Sequence, residues 1–458
     1  MSINTNVKDL HKAQTTLLVI LPSLRTNYTH IMAKRFVTAE WALTANIYEV
    51  NLRQYTTEGS FMAFEKELPR LRNMGVDILW FMPIAPISIE KRQGTLGSYY
   101  ACSDYTSANP EFGSLEDFKR LVKAGHSLGF KVLIDWVANH TGWDHKWTKE
   151  HPEFYKKNKE GNFYEEHGWI DVIDLNYKNK TLREKMISAM KFWVRECDID
   201  GFRCDMAHLV PLDFWLNART ILDKEKELFW LAECEEPNYH KVFDATYTWE
   251  FLHIAEALYK GEAGLHELEA VLKKYENRFS ASALRLYFTT NHDENSHSGS
   301  EYERLGNAAK AFAVFCATWK NSLPLVYSGQ EMPNKKRLKF FEKDVIDWKG
   351  QFLLQDFYKT LFLLRKQNPV MRAGKTSVRT IRVKTTADKN VFAFVRRQGK
   401  IEMLVILNLS TDSRLKIKIK NVAVKGIYIS VFSGLEIDLN EETFLEMQAW
   451  EYRVYIKK

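Results

Sequence analysis

The chain has 458 residues, of which 45% are hydrophobic and 27% charged, a composition typical of a globular protein with two or three domains. Disorder and a single small module are therefore excluded. The formal net charge is +7, but Lys and Arg alternate with Asp and Glu along the chain, so no basic stripe marks a nucleic-acid site. No apolar run reaches the roughly 18 residues of a spanning helix, and we expect no membrane partner.

The five cysteines are scattered and form no C-x-x-C pair, which predicts reduced thiols and no structural zinc. This favours a cytoplasmic location, with the periplasm as the open alternative. The apolar residues 17–21 follow two lysines as in a signal peptide, but the stretch is short, Pro22 ends it and no small-x-small cleavage site follows. We therefore expect residues 1–35 to be an N-terminal extension.

From about residue 40, short apolar runs alternate with segments of helical periodicity, a pattern typical of repeated β-α units. Helix starts are predicted at Ser60, at Ser114 and at the capping box Thr181-x-x-Glu184. Eight strands of a parallel sheet alternate with helices, which indicates a (β/α)8 TIM barrel over residues 36–368, of the α/β class. The strands are predicted to end near Val50, Met82, Val137, Cys204, Ala232, Tyr247, Thr290 and Tyr327.

The interval between the third and fourth strand ends is about twice the roughly thirty residues of one β-α unit. We predict that the excess, residues 141–180, is an inserted loop domain over the mouth of the barrel. It is rich in aromatic residues, including Trp143, Trp147 and Trp169. Packing within the insertion and stacking on a sugar are both open for these tryptophans.

After about residue 368 the pattern changes to short segments with period-two alternation, such as residues 391–395, 403–407 and 415–420. Alternation of this kind, with turn residues between segments, is typical of antiparallel strands. We therefore predict a C-terminal antiparallel β-sandwich domain over residues 369–458.

Three acidic residues stand just past predicted barrel strands: Asp205 after the fourth, Glu233 after the fifth and Asp293 after the seventh. Barrel strands end at one common face, so these carboxylates should converge there. Retaining glycoside hydrolysis needs two carboxylates about 5 Å apart beside the bond. One acidic residue after a strand is more often a helix cap or a salt-bridge partner, but the steps of 28 and 60 residues match one and two β-α units.

The neighbours of two of these residues predict different protonation states. Arg203 lies two residues before Asp205, hence on the same side of a strand, and a cation favours the ionised carboxylate that a nucleophile needs. Glu233 follows an apolar run, residues 230–232, which favours the protonated form of a general acid. We therefore predict separate roles for Asp205 and Glu233.

Four motifs stand in order at the predicted strands: Asp135-Trp136-Val137-Ala138-Asn139-His140, Gly201-Phe202-Arg203-Cys204-Asp205, Leu231-Ala232-Glu233 and Phe288-Thr289-Thr290-Asn291-His292-Asp293. With these motifs the chain resembles the α-amylase superfamily of glycoside hydrolases, from about Trp41 to the C-terminus. The resemblance implies that Asp205 is the nucleophile that forms a glycosyl ester. It also implies that Glu233 is the general acid/base and that Asp293 is the third catalytic carboxylate, which grips sugar hydroxyls.

The same resemblance implies five substrate-binding residues. Tyr100 would stack on the sugar, Arg203 would orient Asp205, and His140 and His292 would hydrogen-bond sugar hydroxyls. His208 stands where the family often has a Lys that contacts a neighbouring sugar. For a single histidine, a satisfied polar residue at a strand end is the alternative.

Many members of this superfamily bind calcium between the barrel and the insertion. The resemblance implies Asn139 and Asp174 as ligands, but the position of the usual His ligand, four residues after Asp205, is Leu209. His208 is one residue early, and a one-residue shift changes the direction of a side chain. We therefore expect no metal at this site and no other cofactor.

The predicted activity is retaining hydrolysis of α-1,4-glucosidic bonds in starch-type α-glucans or maltooligosaccharides, which would be the partners of the protein. An α-glucosidase or a 4-α-glucanotransferase is the nearest alternative, since loops decide between these activities on one barrel. A non-catalytic glucan-binding protein is a third, against which the complete set of carboxylates argues. The sequence leaves the oligomeric state open.

Overall fold

Eight parallel strands close into a barrel in the computed structural model, which describes residues 36–420 and 424–458. Each strand pairs with the next one along the chain, and the last returns to the first, which confirms the predicted barrel. The predicted extension, residues 1–35, lies outside the described residues. The strands are β1 Ile47–Val50, β2 Ile78–Phe81, β3 Lys131–Trp136, β4 Gly201–Cys204, β5 Phe229–Ala232, β6 Ala245–Tyr247, β7 Leu284–Tyr287 and β8 Ser322–Tyr327.

Seven of these strands end within one residue of the predicted position. The exception is β7, which ends three residues before Thr290. Residues 288–290 remain buried although they have left the sheet, so their apolar and β-branched pattern reports burial and not strand pairing.

The helices surround the barrel, and none in the described part of the chain is long and apolar enough to cross a bilayer. Ser60 and Ser114 cap helices as predicted, Ser114 in a capping box with Asp117. The box predicted at Thr181 is wrong, because Asn179 caps that helix by accepting from Leu182 N. The α-helices are Leu52–Tyr55, Phe61–Glu65, Leu68–Met74, Leu115–Ser127, Trp147–Glu150, Lys180–Cys197, Leu212–Leu222, Trp249–Lys260, Leu265–Arg278, Glu301–Leu305, Ala309–Thr318 and Gln355–Gln367.

The insertion after β3 is built on a short antiparallel ribbon, His140–Gly142 paired with Val172–Asp174. Trp147 is buried in it against Phe154, whereas Trp169 turns to His140 with ring centroids 5.3 Å apart. Trp147 therefore packs within the insertion, whereas stacking on a sugar stays a prediction for Trp169.

The C-terminal residues form a six-stranded antiparallel sheet, in the order β9-β10-β11-β16-β13-β14, and a two-stranded sheet, β12-β15. Alternate residues of β10 face opposite ways. Val391, Ala393 and Val395 pack between the two sheets, as in a sandwich, while Phe392 and Phe394 pack against the barrel layer. The strands are β9 Arg379–Val383, β10 Val391–Gln398, β11 Ile401–Asn408, β12 Leu415–Ile417, β13 Gly426–Ser430, β14 Glu436–Leu439, β15 Leu445–Met447 and β16 Tyr452–Lys457.

Candidate active site

Arg203 is the centre of the site and is fully buried in the mouth of the barrel. It lies on β4, and its Nη1 donates to Asp205 Oδ1 at 2.9 Å. Its Nη2 lies 2.7 Å from Glu233 Oε1, an ion pair that lacks the alignment of a hydrogen bond. One guanidinium thus holds the carboxylates that follow β4 and β5.

Glu233 is positioned by a second contact, from the backbone of Met206. Met206 is in the left-handed conformation (φ 39°, ψ 44°), which is uncommon for a residue other than glycine. In this conformation the backbone N–H of Met206 donates a hydrogen bond to Glu233 Oε2 at 2.8 Å. The residue after the predicted nucleophile therefore orients the predicted acid.

The pKa values of the two carboxyl groups are both raised, whereas the neighbouring residues predicted opposite effects on Asp205 and Glu233. Burial raises the pKa of Glu233 to about 7, with Arg203 opposing and the Asp205 and Asp293 charges adding to the rise. Burial also raises the pKa of Asp205, to about 6, although Arg203 acts to lower it. The expected effect of Arg203 is present, but burial outweighs it.

Asp293 and His292 form a second side of the site, after β7. His292 Nε2 lies 3.2 Å from Asp293 Oδ2, and His292 Nδ1 pairs with the buried Glu49 of β1. Burial alone would lower the pKa of His292, but the charges of Asp293 and Glu49 raise it well above its usual value. Burial would likewise raise the pKa of Asp293, yet the charge of His292 lowers it to about 2. An imidazolium therefore keeps Asp293 ionised.

Tyr100 joins the two sides of the site. Its hydroxyl donates to Asp135 Oδ2 at 3.1 Å and lies 2.6 Å from His292 Nε2, and its ring is parallel to His292 within 18°. Asp135 in turn accepts from Arg203 Nη1 at 2.9 Å. The tyrosine ring is thus fixed by hydrogen bonds at the edge of the cavity.

His140 is buried at the cavity, where Asn139 Nδ2 donates to its Nδ1 at 3.2 Å. Burial lowers the pKa of His140 to about 4, so the ring is neutral and its remaining proton is on Nε2. A neutral ring of this kind can donate one hydrogen bond to a sugar hydroxyl.

The structure brings the predicted residues to one cavity of about 310 Å³, with one exception. Arg203 and His292 lie buried behind its surface. His208, predicted to bind substrate, is exposed on a short 3-10 helix, Ala207–Leu209, and does not line this cavity. Its predicted contact with a neighbouring sugar therefore stays a prediction. The lining residues are Gln93, Ser98, Tyr100, His140, Trp169, Asp171, Val172, Asp205, Met206, Glu233, Asp293, His297, Phe340 and Phe341.

Three of the contributors that sequence analysis missed are Glu49, Asp135 and Phe340. Glu49, within the otherwise apolar β1, could have been found as a charged residue in a buried strand. Asp135 was quoted in a motif but given no role. Phe340, which lines the cavity from far along the chain, gives no local signal in the sequence.

The residues that the family resemblance implies as calcium ligands do not fit that ion. Asp174 is buried, and its Oδ2 accepts from Lys156 Nζ at 3.0 Å. Lys156 Nζ also lies 3.2 Å from Glu166 Oε2. Asn139 presents its Nδ2 donor, and not its carbonyl oxygen, to Asp174 at 3.5 Å. The ammonium group of Lys156 and the amide donor of Asn139 thus face Asp174. Calcium would require oxygen ligands in their place.

A (β/α)8 barrel with carboxylates after β4, β5 and β7, two of them buried and held by one arginine, defines a site of the glycoside hydrolase type. The family model described as "Alpha amylase, catalytic domain" matches residues 31–172 and 152–352. The chain therefore belongs to the α-amylase family.

Related proteins and structures agree with this assignment. Alpha-amylase MalA of Haloarcula japonica is 28% identical over 394 residues, covering 81% of this chain, and the chain spans 56% of the length of MalA. Alpha-amylase 2 of Dictyoglomus thermophilum is 26% identical over 438 residues, which is 88% of this chain and 72% of that protein. The crystal structure of the maltogenic α-amylase AmyB from Thermotoga neapolitana is similar with a TM-score of 0.82 and 30% identity, over 90% of this chain and 98% of that one.

Proposed function

We propose that this protein is a retaining glycoside hydrolase that cleaves α-1,4-glucosidic bonds of starch-type glucans or maltooligosaccharides. The observation that carries the proposal is the contact of one buried guanidinium with both Asp205 and Glu233. Two carboxylates within reach of one guanidinium suit the roughly 5 Å separation of retaining enzymes. The named activities of the relatives, α-amylase and maltogenic α-amylase, support α-1,4-glucan as the substrate.

In the proposed reaction Asp205 attacks the anomeric carbon while Glu233 donates its proton to the leaving oxygen. This forms a glycosyl ester on Asp205 and leaves Glu233 ionised. Glu233 then takes a proton from water, which attacks the ester and releases a product of unchanged configuration. Asp293 is ionised throughout and accepts hydrogen bonds from sugar hydroxyls.

Because Asp174 is already paired with Lys156, we also propose that the enzyme works without calcium. Lys156, a residue of the insertion, supplies the positive charge that pairs with Asp174. No step of the proposed reaction involves a metal.

The test is to incubate wild type, Asp205→Asn and Glu233→Gln with maltoheptaose and to follow the anomers of the first products by NMR. The proposal predicts α-anomers from the wild type and a loss of activity of about 10²–10⁴-fold or more in each variant. Asp438→Asn and Glu436→Gln change the same residue types on the exposed β14 and serve as controls. β-Anomeric first products, or full activity in either variant, would overturn the mechanism.

A further inference from the structure

Two loops meet beside the cavity: residues 93–97, after β2, and residues 339–342, after β8. We call them together the Phe340 wall. Leu96 N donates to Phe341 O at 3.1 Å, and Thr95 N donates to Glu342 Oε1 at 3.0 Å. The loops are therefore joined by their backbones as well as by side chains.

Gly94 lets the two loops approach this closely. Its φ is +61°, and a Cβ built on it would lie 2.6 Å from Phe341 Cβ and 2.9 Å from Phe341 O. Any other residue would push the loops apart, because contacts below 3.0 Å with backbone atoms require something to move. The two loops can therefore lie this close together only with glycine at position 94.

The segment after β1 fixes both loops from behind. Arg53 is fully buried and paired with Glu111 at 2.8 Å, and its Nη1 donates to Gly97 O at 3.0 Å. Gln54 Nε2 donates to Lys339 O at 3.0 Å and to Glu342 O at 2.7 Å. These bonds tie the Phe340 wall to the barrel itself.

The Phe340 wall is part of the active-site cavity. Gln93, Phe340 and Phe341 line it, and the Phe340 ring is parallel to the Tyr100 ring within 12°, with centroids 6.3 Å apart. Phe340 is therefore the aromatic ring next to Tyr100 in the lining of the cavity.

The barrel sets the position of this wall relative to Glu233. In a ring of eight strands, β5 stands opposite β1, and the wall comes from β8 and β2 and is held by the segment after β1. Glu233 follows β5 and protonates the leaving oxygen, so the departing part of the substrate lies on the β5 side. The retained part of the glucan must extend the other way, towards the wall.

From this arrangement we infer that the enzyme removes one or two glucosyl units from the non-reducing end of a glucan and does not cut within the chain. The Phe340 wall stops the retained sugars, and a cavity of about 310 Å³ is at the small end of small-molecule sites. The inference rests on the proposed hydrolysis and names the substrate that the site accepts: a free non-reducing end.

The experiment compares 4-nitrophenyl α-maltoheptaoside with the same compound carrying a 4,6-O-benzylidene group on its non-reducing end. Products are separated by chromatography. We expect the blocked compound to be cleaved about 100-fold more slowly, the scale on which displacement from the reactive position acts. Equal rates on both compounds would overturn the inference and leave hydrolysis intact. Activity on neither would overturn the proposed function, and the inference falls with it.

Two variants examine the Phe340 wall itself. Gly94→Ala should separate the loops and raise the ratio of blocked to unblocked cleavage several-fold. Gly399→Ala is the matched control, because Gly399 has φ +58° and nothing within 4 Å of an added Cβ. Phe340→Ala, which removes only a side chain, should raise the same ratio if Gly94→Ala does not fold. An unchanged ratio in a folded variant would overturn the inference.

Discussion

The pH dependence of kcat/KM tests the assignment of acid and nucleophile. The reaction needs Asp205 ionised and Glu233 protonated, so activity falls below the pKa of Asp205, about 6, and above that of Glu233, about 7. With these values the required state makes up about 0.6 of the enzyme at pH 6.5 and about 0.03 at pH 8.5, a fall of about 20-fold. The predicted profile is therefore a bell with its maximum near pH 6.5.

Glu233→Gln identifies the group behind the alkaline side of the bell. The assay uses 2-chloro-4-nitrophenyl α-D-glucopyranoside, whose single glycosidic bond has a leaving group that departs without a proton, and kcat/KM reports only the steps up to glycosylation. We expect the variant to keep the acid side of the bell, from Asp205, and to lose the alkaline side. Glu436→Gln should keep both. An alkaline side that persists unchanged in Glu233→Gln would refute the assignment of the acid.

Three further predictions concern the surroundings of the site. Treatment with EDTA is expected to leave activity and melting temperature unchanged, because Lys156 holds Asp174; a loss that calcium restores would contradict this. Lys156→Met leaves the buried Asp174 without its cation and should lower the free energy of unfolding by about 1–3 kcal/mol in urea, whereas the exposed Lys123→Met should not. Phe392→Ala removes a buried ring packed against Trp319 of the barrel layer and should cost about 3–5 kcal/mol in a single melting transition; an unchanged melting temperature would be inconsistent with this packing.

The barrel and its carboxylates could be predicted because both depend on local sequence. The hydrophobic periodicity and the turn residues locate the end of a strand to within about one residue. The strands of a parallel barrel all end at one face. Asp205, Glu233 and Asp293 therefore converge without any knowledge of distant contacts. In β7 the same reasoning extended the strand too far, because a buried run need not be paired.

Features that depend on turn geometry or on distant contacts could not be predicted. His208 lies in the short 3-10 helix that follows the turn after Asp205, and the geometry of that turn decides whether it lines the cavity. The Phe340 wall joins residues almost 250 positions apart, and its contacts leave no periodic signal. The pairing of Lys156 with Asp174 is also specific to the folded insertion, whereas the prediction from the sequence that no calcium binds rested on Leu209.

The most direct test of the account is to identify the residue that carries the glycosyl ester. Glu233→Gln would be incubated with 5-fluoro-α-D-glucopyranosyl fluoride, which forms the ester readily and releases it slowly, then digested with pepsin and analysed by mass spectrometry. The account predicts one added glycosyl group on the peptide that contains Asp205, and none in Asp205→Asn. A label on Asp293 or on any other residue, or a label that persists in Asp205→Asn, would contradict it.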